Sequence, residues 1–268
     1  MNVKKTNIKI HQNFDVFLNG ESNKAANQAA VDYTSQLGNQ QKWLWLYSGT
    51  GLGKTHLLHA IGNKLCDKHP NIKIKQIHTE TFCLSLTKAM QEDKLHQFIK
   101  SYQDLDCLLL DGMTFHYMRY FYSNHHVRKV LYTILVSLKK SKSLVVFTSD
   151  SVIQQSPRMN IKRLLNRCKQ VSLSRPETSL KKRVAHQTAL ERGFKLSNEI
   201  LTFISQQNDD NILEIKGVIW RIISEVKGTG ELLSLNVVKR LYYMKVYSCC
   251  NIDRVNRQDE SMQSSNGR

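Results

Sequence analysis

The chain has 268 residues with 41% hydrophobic content, enough for one large α/β domain with its own core and a small helical domain beside it. It has no run of about 18 uncharged apolar residues, which excludes a membrane-spanning helix. The basic start, MNVKKTNIKIHQNFDVF, leads into no apolar stretch of signal-peptide length, so the expected location is the cytoplasm. A formal charge of +17, from 39 Lys and Arg against 22 Asp and Glu, favours polyanionic partners, nucleic acid first and an anionic membrane surface second.

That charge is uneven. Residues 113–149 carry six Lys or Arg and no acid, and residues 158–192 carry ten against Glu177 and Glu191. A generically basic proteome would also raise the total, so charge alone decides little. The six cysteines (Cys66, Cys83, Cys107, Cys168, Cys249, Cys250) form no C-x-x-C pair and suggest neither a zinc site nor a dithiol redox site.

In chain order, residues 43–47 read as a strand and 56–69 as an amphipathic helix. Residues 72–78 alternate as a strand, and 80–102 follow as one helical pattern. Residues 106–110 form a short apolar run that ends in Asp111, as a buried parallel strand does. A helix over 126–140 leads into a second buried strand at 144–148. This alternation predicts a parallel sheet covered by helices. After Pro176 the pattern is helical only, over about 178–192, 197–207, 211–226 and 234–245, with Gly193 and Gly228 as stops. The expected organisation is an α/β nucleotide-binding core over 13–175, a helical lid over 176–247 and a disordered polar tail over 248–268.

The strand at 43–47 runs into SGTGLGKTH at residues 48–56. A glycine-rich turn followed by Lys-Thr at a helix start is a phosphate-binding loop, in which backbone N–H groups and the helix dipole cradle phosphates. Gly49, Thr50, Gly51, Leu52, Gly53, Lys54, Thr55 and His56 are the expected nucleotide contacts. Lys54 would reach the β- and γ-phosphates, and Thr55 would hold Mg²⁺. Ser48 stands where the strict pattern has its first glycine, which is acceptable if its φ stays negative. Asp111 is the expected partner acid for Mg²⁺. In hydrolysing relatives the next residue is usually a second acid that polarises the attacking water. Here it is Gly112, and losing that role costs on the order of 10²–10⁴ in rate. Gly112→Asp is therefore expected to raise turnover.

These residues resemble the AAA+ core of the bacterial replication initiator DnaA, over roughly 13–245. FDVFLNGESNKAA at 14–26 is similar to that family's lead-in segment, which lies against the adenine. The run GLGKTHLLHAIG within 48–63 is the most specific match. YQDLDCLLLDGMTF at 102–115 resembles the Walker B segment, VVFTSD at 145–150 the sensor 1 strand, and NILEIKGVI at 211–219 the lid helix. RLLNRC at 163–168 is similar to the segment carrying the arginine finger, which would make Arg167 that finger with Arg163 beside it. The implied fold class is α/β, a P-loop AAA+ parallel sheet core with a C-terminal helical lid, using ATP and Mg²⁺. The sensor 2 position is Leu213, which cannot pair with a phosphate. The chain is also expected to carry neither the family's helicase-interaction domain nor its duplex-reading helix-turn-helix domain.

The resemblance implies an ATP-binding protein of chromosomal replication initiation or its regulation, with weak or absent hydrolysis. Its short architecture resembles that of Hda-type regulators. Expected partners are single-stranded or non-specific DNA, and either full-length DnaA or a second copy in head-to-tail contact. The alternative is a helicase-loader or transposon-helper AAA+ ATPase. Tyr117, Arg119, Tyr120, Phe121, Tyr122, Arg128 and Lys129 could stack on bases and neutralise a backbone, or pack under a loop against the sheet. Lys181, Lys182 and Arg183 read as a solvated basic face, and His125–His126 as a surface feature.

Overall fold

The computed structural model describes residues 7–37, 43–114, 124–151, 165, 167–207 and 211–244. The chain divides into two compact units, Met1–Glu177 and Thr178–Arg268.

In the first unit α1 (Lys24–Tyr33) precedes β1 (Leu44–Tyr47), and α2 (Lys54–Lys68) leads to β2 (Ile74–His78). Then come α3 (Thr79–Gln91), α4 (Leu95–Gln103), β3 (Cys107–Asp111), α5 (His125–Lys140), β4 (Leu144–Ser149) and β5 (Lys169–Ser172). The five strands form one sheet in the order β2-β3-β4-β1-β5, with every described pairing parallel.

Side-chain alternation along the strands explains why the sheet is covered on both faces. Leu44, Leu46, Cys107, Leu109, Leu144 and Val146 point to the α1–α2 side and pack with Leu57, Leu58, Ile61 and Ala26. Trp45, Leu108, Leu110, Val145 and Phe147 point to the other, where α3, α4 and α5 supply Phe82, Tyr102, Leu131 and Leu135. Each buried leucine is worth about 2 kcal/mol relative to leaving it in water. A parallel strand buried on both faces reads as an unbroken apolar run, and β3 and β4 do over residues 107–110 and 144–147, before their polar C-terminal ends.

Three features depart from the sequence reading. The single helical pattern over 80–102 is two helices, because Asp93 adopts φ 55° and turns the chain between α3 and α4. The last strand, β5, carries no apolar pattern: its residues Lys169, Gln170, Val171 and Ser172 are mostly exposed and pair with β1. Helix α1 lies outside the elements the sequence predicts, although Ala26, Ala29, Ala30 and Tyr33 bury one helical face. The Tyr33 hydroxyl donates to the Val145 carbonyl at 2.9 Å and accepts the Val145 N–H at 3.0 Å, and burial raises its pKa.

The second unit is helical throughout its described residues: α6 (Thr178–Leu190), α7 (Asn198–Gln206), α8 (Ile212–Thr229) and α9 over 235–244. Helix α6 packs on both α7 and α8. Ser197 caps α7 through the Ile200 N–H at 3.3 Å. Asn211 caps α8 through the Glu214 N–H at 2.8 Å while donating to the Glu214 carboxylate, a reciprocal cap. Gly228 lies inside α8 rather than ending it; the stop is Gly230, at φ 68°. Among the described residues no helix is long and apolar enough to cross a membrane. The tail 248–268, Cys249, Cys250 and Arg163 lie outside the described residues.

Candidate nucleotide-binding site

The phosphate loop connects β1 to α2 at the C-terminal edge of the sheet. Gly51 and Gly53 carry φ values of 75° and 100°, a region that side chains with a Cβ disfavour. Gly53 is also closely approached: a Cβ there would meet the Phe17 ring at 3.0 Å. Ser48 is not among the positive-φ residues, so serine fits where the strict pattern has glycine. Leu52 turns into the core under the loop, leaving only its backbone for a ligand, and Thr50 is exposed. The Lys54 ammonium donates to the carbonyls of Ser48 (2.8 Å) and Gly49 (2.7 Å) and to the Ser48 hydroxyl (3.2 Å). Burial lowers its pKa, while the carboxylates of Asp111 and Asp150 pull it back up.

The adjoining strand ends supply the acid. Asp111 closes β3, nearly buried, and its carboxylate accepts the Thr55 hydroxyl at 3.0 and 3.2 Å. The Thr148 hydroxyl, on β4, donates to the same carboxylate and accepts the Gly112 N–H at 2.9 Å. Thr55 and Asp111 together offer hard oxygen donors beside the loop, the chemistry that Mg²⁺ takes, so these residues fit that ion. Asp106 takes no part: its carboxylate accepts the Lys73 N–H at 2.8 Å, at the other end of β3.

The segment 13–23 packs beside the loop. The His56 ring donates from Nε2 to the Asn13 carbonyl at 2.8 Å and meets the Phe17 ring edge-on at 5.2 Å between centroids. His56 thus anchors this lead-in segment instead of presenting its ring freely to a ligand. Farther along, Glu177 accepts the backbone N–H groups of Glu21 and Ser22 at 3.1 and 3.3 Å.

The loop, its acid and this lead-in segment coincide with the match of residues 8–171 to the bacterial DnaA ATPase domain. The chain belongs to this family. It is similar in structure to domain III of the Thermotoga maritima replication initiation protein DnaA, at 27% identity over 88% of this chain and 97% of that one, with a TM-score of 0.77. AMPPCP-bound DnaA from Aquifex aeolicus shares the fold at 21% identity, over 84% of this chain and 67% of that one, with a TM-score of 0.68. A DnaA replication initiator bound to AMPPCP and single-stranded DNA shares it at 20% identity, over 83% and 69% of the two chains, also with a TM-score of 0.68. The first unit is therefore the α/β AAA+ core of a DnaA-type ATPase domain.

Within this DnaA-type core, position 112 is packed against a neighbouring ring. Gly112 has φ 72°, and a Cβ built on it would lie 2.3 Å from His78 Nε2. The imidazole stands where the side chain of residue 112 would begin. Sequence reasoning passed over His78, although its place at the end of β2 mirrors that of Asp111 at the end of β3, and the two are register partners. A side chain at residue 112 would meet this exposed ring at its Cβ, so Gly112→Asp requires the imidazole to move aside.

Arg167 lies exposed in the turn before β5. Leu213, in the first turn of α8, is 58% exposed. Lys181 donates to the Gln207 carbonyl at 3.0 Å and Lys182 to the Thr202 hydroxyl at 3.2 Å, so both are half-buried ties within the helical unit and only Arg183 is exposed. His125 and His126 are exposed, and among the described residues no group of three or more His, Cys, Asp or Glu gathers. The aromatic stretch 117–122 with Arg119 lies outside the described residues, while Arg128 and Lys129 belong to α5.

Proposed function

We propose that this chain is an ATP-binding DnaA-type switch acting in initiation of chromosomal replication or its regulation, with weak hydrolysis. The convergence of Lys54, Thr55 and Asp111 at one loop carries this reading. In the bound state the backbone of Gly49–Thr55 would cradle the phosphates, Lys54 would exchange loop carbonyls for phosphate oxygens, and Thr55 and Asp111 would hold Mg²⁺. The ion would supply charge neutralisation between the phosphates. Weak hydrolysis is inferred from position 112, which offers no carboxylate to orient a water.

Arg167 would act in trans, reaching a nucleotide on a second copy or on a full-length DnaA in a head-to-tail contact. Its exposure supports that role and leaves it outside its own chain's loop network. Single-stranded DNA is the proposed nucleic-acid partner. A relative binds it together with AMPPCP, and the charge of +17 favours a polyanion. The docked lead-in segment supports an initiator-type nucleotide pocket over the helicase-loader alternative.

The deciding experiment is a titration with fluorescent ATP and Mg²⁺ against the full chain and Lys54→Ala. Micromolar binding that weakens about a hundredfold or more in the variant is expected, since the ammonium would give up two or more charge-assisted hydrogen bonds. Equal binding by the two proteins, or none by either, would refute a working phosphate loop.

A further inference from the structure

The imidazole beside Gly112 is exposed and oriented by a backbone hydrogen bond. His78 is the N-cap of α3, at φ −78° and ψ 143°, and its Nδ1 accepts the Glu80 N–H at 3.3 Å. With Nδ1 accepting, the ring's N–H donor is on Nε2. Nε2 is the atom nearest to the Cβ position of residue 112. An N–H donor therefore stands against residue 112, at the strand end beside Asp111.

Its surroundings identify what it would meet. His78 and Asp111 are register partners at the ends of adjacent parallel strands. Asp111 in turn is bonded to Thr55, next to Lys54. The Thr79 hydroxyl donates to the Asp111 carbonyl at 2.8 Å, which pins the start of α3 to the end of β3. The C-terminal ends of parallel strands are where such sheets hold ligands, and the group expected beside Lys54, Thr55 and Asp111 is a polyphosphate. A donor there suits a phosphate oxygen; a carboxylate there suits a water.

We propose that His78 Nε2–H is a hydrogen-bond donor to the terminal phosphate of the bound nucleotide, so that the site discriminates nucleoside triphosphate from diphosphate. The inference rests on the nucleotide reading above. It gives Gly112 a positive role: glycine leaves room for the ring, and its φ of 72° carries the chain past it.

Two substitutions separate the donor from the cap. In His78→Asn the amide oxygen can take over the cap on Glu80, and the side chain ends short of the Nε2 position. In His78→Gln the amide nitrogen falls near Nε2, and the cap is lost. Binding of fluorescent ATP and ADP would be measured for the full chain and both variants, with thermal melts as the folding control. Asn is expected to weaken ATP by about tenfold to a hundredfold, the span of one hydrogen bond to a charged group, and to leave ADP unchanged. Gln is expected to recover most of the ATP preference. An unaltered ATP-to-ADP ratio in a folded Asn variant overturns the proposal while the phosphate loop stands. Equal weakening of both nucleotides overturns it too, by assigning His78 a purely structural role. If the unmodified chain binds neither nucleotide, His78 and the loop reading fall together.

Discussion

Asp111 and Gly112 are neighbours in sequence, yet their surroundings oppose each other. The Asp111 carboxylate is held from two sides, by Thr55 and Thr148, and lies beside an ammonium fixed by three hydrogen bonds. Gly112 contributes only backbone, in a left-handed conformation, against the ring of His78. The first surrounding is built to hold charge, the second to make room. Under the proposed function, gripping a nucleotide and activating water fall to successive residues of one strand end, and residue 112 brings no side chain to the second task.

The strongest way to break this contrast is to restore the acid. Gly112→Asp alone is expected to lower the melting temperature and leave turnover at background, because the new side chain meets both an unfavourable φ and the His78 ring. Combined with His78→Ser, which keeps a capping oxygen, it is expected to raise ATP turnover at saturating Mg-ATP on the order of 10²–10⁴. Turnover gained by the single variant would show that the ring yields freely. A double variant stuck at background would show that the acid is not what limits the rate.

A smaller effect sharpens the other side. Thr148→Val keeps the shape but removes the hydroxyl that serves both Asp111 and the Gly112 N–H. A loss of about 1–3 kcal/mol in stability is expected from urea melts, along with weakened Mg²⁺-dependent nucleotide binding. An unchanged midpoint would remove Thr148 from the support of the site. Arg167→Ala should have the least effect on nucleotide affinity, less than about twofold, because its residue lies outside both surroundings. Nucleotide-dependent assembly should nonetheless disappear in sedimentation, and persistent assembly would deny Arg167 the role of a finger.

What could be read from the sequence followed the strength of its patterns. β3 and β4 announce themselves because burial on both faces makes four successive residues of each apolar, and the loop announces itself through glycines with one physical use. β5 has no such mark: it is a polar edge strand whose position follows from pairing with β1. Helix α1 hides its buried face in alanines, which carry little hydrophobic signal, and its one large anchor is Tyr33. The break at Asp93 needs a positive φ from a residue that is not glycine. His78 was missed for a different reason. Its chemistry depends on a neighbour thirty-four positions later, and only strand pairing brings the two together.

The docking of the lead-in segment sets a boundary on what can be cut away. Asn63 donates to the carbonyls of Lys9 and Gln12, His59 accepts the Lys9 N–H, and Phe17 closes over Gly53. A fragment that began at β1 would keep every residue of the phosphate-binding pattern and lose the body that presses on its tightest turn. The pattern is short, but the stretch of polypeptide that keeps it in shape reaches back to Lys9.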